Sequence, residues 1–471
     1  MQKRYSALLS IILALVLPRA ALSEKPFDDA AFSPDGPRIT QDHIVSGHMT
    51  LKQLRKAGLA IFATPFNHSH GYGDGPQNPA DSTTPGGRPT LQGNGTFLRV
   101  NGLDSQTCVE CHSIVSMDTV PPTLGIGGAG SISTSAMFMP RNIDVSDQLL
   151  RGEASLDGRL INPISLFGGG GAQAVGREMT ADLQALKTNA LNNPGQMIRL
   201  LAKGVDFGVI TADSNGRLDT TGVEGIDADL VVRPFGRKGE FATLRQFDQG
   251  AMMFHLGMQP VEIFGPGTDD DGDGVTDEVL IGEMSALEIF VATQDGPVQL
   301  PMRREAIKGL NRFQDAGCND CHRPMMTTNS PWLEFSFPIV DTDPSANVYY
   351  RVDLRRGPMG FKSANGGVEV PMFSDLKRHD LGAGLAEDFS AASEKQNREY
   401  ITAKLWGVAD TAPFLHDGRA LTLVEAIISH GGEAASSRDR FLAMKESAQA
   451  QLIAFLKTLR NPARPNADVV H

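Results

Sequence analysis

Apolar residues recur at helical spacing in only a few stretches of this chain. Ile307, Leu310 and Phe313 follow the 3.6-residue period of an amphipathic helix. Gly309, four residues before Phe313, predicts a close approach of that helix to a second backbone. The expected counterpart covers 448–460, where Leu452, Leu456 and Leu459 share one face and Pro462 ends the helix. A similar pattern starts near Leu51, with Gly58 and Phe62 again four apart. Thr422, Leu423, Val424 and Glu425 form a capping box, so a short helix is predicted to start there and to stop at Gly431 and Gly432, just past His430. Between Pro65 and Ser105 the chain is rich in Gly, Pro and Asn and reads as a long loop. The fold class these patterns predict is mainly α, with long loop insertions.

The first apolar run is of a different kind. Lys3 and Arg4 precede an apolar stretch from Ala7 to Leu17, and Ala21, Leu22 and Ser23 resemble a small-residue cleavage site. That order predicts a cleaved signal peptide over 1–23 and a periplasmic or secreted protein. Pro18 and Arg19 interrupt the run well short of the ~20 residues that span a bilayer, so no membrane span is expected in the mature form. At 471 residues two domains are the natural expectation, here 24–300 and 301–471. The net charge is -12, and it becomes -15 once Lys3, Arg4 and Arg19 are removed. Nucleic acid and anionic membranes are excluded as natural partners by that acidity, and a small basic redox protein, a cytochrome c or a cupredoxin-like protein, is expected instead.

The candidate chemistry lies in four cysteines. Cys108-Val109-Glu110-Cys111-His112 and Cys318-Asn319-Asp320-Cys321-His322 both fit C-x-x-C-H, the attachment signature of c-type haem. Two thiols three positions apart can bond the two vinyl groups of one porphyrin, and the next histidine then lies under the ring as an iron ligand. The motif occurs twice behind an export signal and uses every cysteine, so two covalently bound haems c are expected, one in each domain. Zinc fits poorly, because the motifs stand 210 residues apart and each would need further ligands. Phe313 lies five residues before Cys318, whereas Phe62 lies 46 before Cys108, which places an insertion of about 41 residues ahead of the first motif.

A sixth ligand makes a haem an electron carrier, and an open sixth position lets it react. The histidines to weigh are His68, His70, His255, His379, His416, His430 and His471. His430, at the end of its short helix, is the best placed; His416 lies in a turn beside Asp417 and Gly418, where it could bond backbone or a haem propionate. His255, within Met253-Phe254-His255-Leu256, could be a distal ligand or a core histidine, and the core reading is favoured. Between the motifs, Asp269, Asp271, Asp273 and Asp277 occupy positions 1, 3, 5 and 9 of an EF-hand-type loop, with Val275 supplying a backbone carbonyl at position 7. Leu280 replaces the usual Glu at position 12, and Glu278 or Glu283 could substitute. Four acids this close repel one another without a cation, so bound Ca2+ is expected.

Taken with the two C-x-x-C-H motifs, Leu405-Trp406-Gly407, Thr411-Ala412-Pro413-Phe414-Leu415-His416-Asp417-Gly418-Arg419 and Leu423-Val424-Glu425-Ala426-Ile427 resemble the bacterial di-haem cytochrome c peroxidase superfamily. Asp375-Leu376-Lys377-Arg378-His379-Asp380-Leu381-Gly382 and the Asp-rich loop are most similar to its di-haem oxidoreductase (thiol oxidoreductase-like) branch. The resemblance implies two cytochrome c-like haem domains, with His322 and His430 as the axial pair of the C-terminal haem and calcium near the domain junction. It implies that the N-terminal haem at His112 is the reactive one, reducing hydrogen peroxide with electrons relayed by the other. It also implies a distal segment over 163–171, followed by Arg177 and Glu178, in which Phe167 shields the iron and Glu178 moves the proton, and a tryptophan between the haems, for which Trp332 and Trp406 are the only candidates. Two rival expectations are an oxygenase acting on an organic substrate with O2, and an electron carrier with both irons six-coordinate. A thiol oxidase is not expected, since no cysteine is left over.

Overall fold

Helix α1 (Leu51–Ala63) starts where Thr50 accepts a hydrogen bond from the Gln53 amide and Gln53 returns one from the Thr50 amide. The computed structural model describes residues 36–73, 105–114, 137–144, 155–387 and 394–470. The expected signal peptide, most of the expected long loop between Pro65 and Ser105, and His471 lie outside them. Six further helices carry the architecture: α2 (Gly169–Asn192), α3 (Leu244–Ala251), α4 (Ile281–Ala292), α5 (Arg304–Asp315), a short α6 (Leu423–Ile428) and α7 (Glu446–Leu456).

Two helix pairs organise the molecule, and each closes on one of the glycines noted above. Gly58 of α1 lies so near α4 that a Cβ there would stand 2.2 Å from the Ala286 carbonyl oxygen, and Phe62 meets Phe290 edge-on at 5.6 Å. Gly309 of α5 meets α7 in the same way, with a Cβ 1.9 Å from the Gln451 carbonyl oxygen. Around the second crossing Phe313, Phe373, Leu423, Phe441, Leu452, Phe455, Leu456 and Leu459 form one core. Two details of the expected helices change. Ile307 is half exposed, and the buried face runs through Ala306, Gly309 and Phe313. The last helix stops at Leu456, and Leu459–Arg460 turns into a strand that pairs with Val298–Gln299, which still delivers Leu459 to the core.

Helix α4 has no amphipathic stripe, because all its residues from Gly282 to Ala292 are buried. A helix buried all round sits inside the molecule, and its two acids, Glu283 and Glu288, must find their partners there. The expectation of a mainly α fold holds for the pairs around the two motifs but not for the rest. Among the described residues six small antiparallel sheets occupy much of what reads as loop, among them the 198–202, 205–212 and 218–219 sheet behind α2 and the 332–336 and 348–353 hairpin. Their strands are two to eight residues long, and Ile198–Ala202 alternates buried and exposed positions, a period of two that a search for helical stripes passes over.

Candidate haem centres and acidic loop

The second cysteine motif follows α5 directly. Residues Cys318–Asp320 make one tight turn, which lets the His322 amide donate to the Cys318 carbonyl at 2.9 Å and turns the imidazole inward. The His322 Nδ1 bonds the Phe373 carbonyl at 3.0 Å, and the His430 Nδ1 bonds the Ala426 carbonyl at 2.8 Å. Both bonds fix the tautomer and leave the Nε2 atoms for a metal. Thr422 and Glu425 cap α6 as expected, and His430 stands just past its last turn, with its carbonyl held by Arg438 at 2.9 Å. The two imidazole rings stand edge-on, with an interplanar angle of 61° and centroids 6.4 Å apart.

That spacing fits one iron between them. An imidazole–metal bond is about 2 Å long and the ring centre lies roughly 1.1 Å behind the nitrogen, so two rings on opposite sides of one metal have centroids about 6.3 Å apart. Burial, aided by His430, pushes His322 down to about 4, and burial also lowers His430, so both are neutral and able to ligate at pH 7. His379 is spent elsewhere: its Nε2 bonds Asp375 at 2.9 Å and its Nδ1 bonds Glu433 at 2.7 Å. Burial opposes its charge, yet the hydrogen bonds to Asp375 and Cys321 lift it to about 11. His416 stacks on Tyr400 at 4.7 Å, and its carbonyl accepts the Asn162 amide at 2.8 Å, so it braces the 413–420 turn against the segment leading to the other motif.

At the first motif Cys108–Glu110 forms the same turn, and the His112 amide donates to Cys108 at 3.0 Å. No disulfide joins either cysteine pair. The His112 Nδ1 bonds the Ile164 carbonyl at 3.1 Å, again leaving Nε2 for a metal, and burial pushes His112 to about 4 with His255 adding to the effect. Of the two readings of His255 the core one is not what the structure shows: it is half-buried, on a π-helical turn over Met252–Leu256, within electrostatic reach of His112. π-Turns are rare and concentrate at functional sites.

The segment after Ile164 links the two centres. Phe167 is fully buried, and a Cβ on Gly168 would lie 3.1 Å from the Trp406 ring. Trp406 is 5 % exposed and follows Leu405, whose amide donates to Met372, the neighbour of the Phe373 that holds His322. Trp332 is 45 % exposed on an outer hairpin. Glu178 is not aimed at a reacting centre: its carboxylate accepts the Asn329 amide at 2.8 and 2.9 Å and the Ser330 amide at 3.1 Å, and it pairs with Lys203 at 2.6 Å. It pins α2 to the 328–330 loop. Asp248, which acts electrostatically on Cys108, and Glu288, which acts on Asp248, are missing from the sequence reading. The one sign of Glu288 is a charge within the apolar run from Met284 to Ala292.

In the acidic loop, Asp269, Asp271 and Asp273 converge to within 4.8 Å of one another. Asp271 is 3 % exposed and its Oδ2 has no hydrogen-bond partner; the same holds for Oε1 of Glu278, 6 % exposed. Burial lifts Asp271 to about 6, with repulsion from Asp273 next, and lifts Glu278 to about 9, with Asp271, Asp273 and Asp269 adding to it. Of the two substitutes for position 12, Glu283 is taken, since it pairs with Arg38 and accepts the Leu280 amide at 2.8 Å. Asp277 is partly turned away as well, with Oδ1 accepting the Gly267 amide at 2.7 Å.

Comparison with known proteins agrees with the second centre. Residues 297–459 match the family described as "Di-haem oxidoreductase, putative peroxidase". No curated protein matches the chain. Solved structures similar to it include a MauG-like protein associated with microbial copper homeostasis, at 13 % identity over 63 % of this chain and 90 % of that one with a TM-score of 0.28. Others are the hydrazine synthase of Kuenenia stuttgartiensis, at 14 % over 63 % and 93 % with 0.30, and the diheme peroxidase BthA of Burkholderia thailandensis, at 13 % over 50 % and 68 % with 0.29. Among the described residues no helix is long and apolar enough to cross a membrane. The family match thus covers residues 297–459, the part of the chain that holds Cys318, Cys321, His322 and His430.

Proposed function

We propose that this chain is a periplasmic di-haem c-type oxidoreductase of the peroxidase kind. Cys108, Cys111 and His112 carry one haem and Cys318, Cys321 and His322 the other, with His430 as the second axial ligand of the latter. The bound haems supply the electron transfer and the cleavage of the peroxide O–O bond. The single observation that carries the reading is the His322–His430 pair, two neutral imidazoles 6.4 Å apart with each Nδ1 tied to a backbone carbonyl.

The protein's own part is positional. Two axial histidines suit the C-terminal centre to receive electrons from a small cytochrome c or cupredoxin-like donor and to pass them on. Trp406, packed on Gly168 and joined through Leu405 to the Met372–Phe373 segment, is the bridge toward His112. Phe167, buried three residues after the Ile164 that holds His112, would help to keep water from the first centre, and His255 is the residue that could add a second nitrogen ligand there. Asp269, Asp271, Asp273, the Val275 carbonyl and Glu278 hold Ca2+, which supplies the buried unpartnered oxygens of Asp271 and Glu278 with a partner.

A second reading is favoured by His255 alone. If it stays on the first iron, both haems are six-coordinate and the protein is an electron carrier. Low-temperature EPR of the half-reduced protein with calcium, before and after one equivalent of hydrogen peroxide, decides between them. A high-spin or readily liganded first haem that consumes peroxide is expected; two low-spin haems inert to peroxide would sink the peroxidase reading.

A further inference from the structure

Three carboxylates and one guanidinium are buried together where α3 meets α4, the helix whose Phe290 packs on Phe62, and the Phe62 carbonyl accepts the hydroxyl of Thr107, the neighbour of Cys108, at 2.9 Å. Arg245 and Asp248 come from α3, Glu288 from α4 and Glu262 from the turn between them; Arg245, Asp248 and Glu288 are 0 %, 6 % and 1 % exposed. Arg245 is committed to Glu262, with Nε 3.0 Å from both carboxylate oxygens and Nη2 2.5 Å from Oε2. Its Nη1 donates to Ser285 at 2.8 Å and only reaches Glu288 at 3.5 Å. One cation therefore faces three acids, and Glu262 takes most of it.

The other charged groups around the cluster do not restore the balance. Arg177 of α2 acts on Glu288 but pairs with Glu334 at 3.4 Å. Tyr349 from the 348–353 strand and Gln173 of α2 face Glu288 and bring no positive charge. Asp248 Oδ2 is buried without a hydrogen-bond partner. Two carboxylates in one dry site do not both ionise at neutral pH. Burial accordingly pushes Glu288 to about 7, with Glu262 adding to it against Arg245, and pushes Asp248 well above the usual carboxylate range, with Glu288 adding to it. Asp248 also raises the Cys108 thiol, after burial, so the cluster lies within electrostatic reach of whatever Cys108 carries. Helix α3 then runs on into the π-turn that brings His255 toward His112.

We propose that Asp248 and Glu288 are the redox-linked proton site of the first haem, taking up one proton from solvent for each electron that haem receives from the second centre. The electron adds one negative charge beside Asp248 and the proton cancels it, so the buried site keeps its net charge; only the carboxyl O–H bond forms. The inference rests on Cys108, Cys111 and His112 carrying a haem.

The test is a redox titration of the full holoprotein on either side of neutral pH, with the two haems resolved by their spectra. The potential of the first haem is expected to fall with pH at close to one proton per electron. Asp248→Asn and Glu288→Gln, near-isosteric changes, should flatten that slope while leaving the second haem and the Glu178→Gln control unchanged. An infrared difference spectrum of the wild type should show a protonated-carboxyl band that grows on reduction and is lost in Asp248→Asn. An unchanged slope in both variants, with no redox-sensitive carboxyl band, overturns the proposal while two haems are still counted. A haem count of one, with Cys108 and Cys111 unmodified, overturns the haem reading and the proposal together.

Discussion

Replacing Gly309 with alanine tests whether the second centre depends on the close crossing of α5 and α7. The added Cβ would stand 1.9 Å from the Gln451 carbonyl oxygen and 2.8 Å from the Phe455 Cβ. Ordinary contact with that oxygen begins near 3.4 Å, so the helices must part by about 1.5 Å, and a backbone carbonyl inside a helix cannot swing aside. Gaps of roughly 0.5–1 Å already forfeit a quarter to a half of the dispersion well, and Phe313, Leu452, Phe455 and Leu456 all lose contacts. The packing cost is then comparable to deleting a large core side chain, about 3–5 kcal/mol, and the better helix propensity of alanine offsets about 1 kcal/mol. A net destabilisation of about 2–4 kcal/mol is expected. Guanidinium unfolding followed by circular dichroism and by the haem band of the His322 centre measures it. A Gly309→Ala protein with the wild-type midpoint and an unshifted haem band would refute the crossing as the support of that centre.

Three further outcomes are expected. His430→Met should raise the potential of the C-terminal haem and His430→Ala should make it high-spin, both read by redox titration with EPR; an unaltered spectrum in both would remove His430 from the iron. Without calcium, Asp271 and Glu278 have folded pKa values, about 6 and 9, above their unfolded ones, so the stability they contribute is complete below about pH 4 and lost as pH rises through 6 and then 9. Calcium binds the ionised forms, so the rise in Tm that it produces should grow with pH across that window; calorimetry with calcium or a chelator should show it, and a pH-independent rise would contradict the site. Trp406→Phe should slow electron transfer between the haems at least tenfold in stopped-flow mixing, whereas Trp332→Phe should leave it unchanged; equal rates in all three proteins would rule out the bridge.

The parts of the candidate site that could be read in advance are those whose chemistry is local. Each C-x-x-C-H motif fits one short turn, and Thr422 with Glu425 starts a helix whose length alone delivers His430. Gly58 and Gly309 announce close crossings because nothing else in an amphipathic helix requires a missing side chain. The readings that changed depend on what packs against a residue. His255 could not be told from a core histidine without the fold that turns it toward His112, and Glu178 reads as an acid near a distal segment until Asn329, Ser330 and Lys203 are seen to occupy it.

By itself, then, the order of residues determined the two attachment motifs, the acidic loop, the capped helix before His430 and the glycines at which helices touch. All of these are set within about a dozen neighbouring positions, where backbone geometry and side-chain reach leave few alternatives. Only the tertiary structure decided the rest. It brings His430 opposite His322 across more than a hundred residues, places Trp406 against Gly168, spends Glu283 on Arg38 and leaves Glu278 for the loop, and buries Asp248 and Glu288 around one arginine. These relations join residues distant in sequence, and burial, which gives each carboxylate and histidine its proton affinity, belongs to the packed molecule and not to any segment of it.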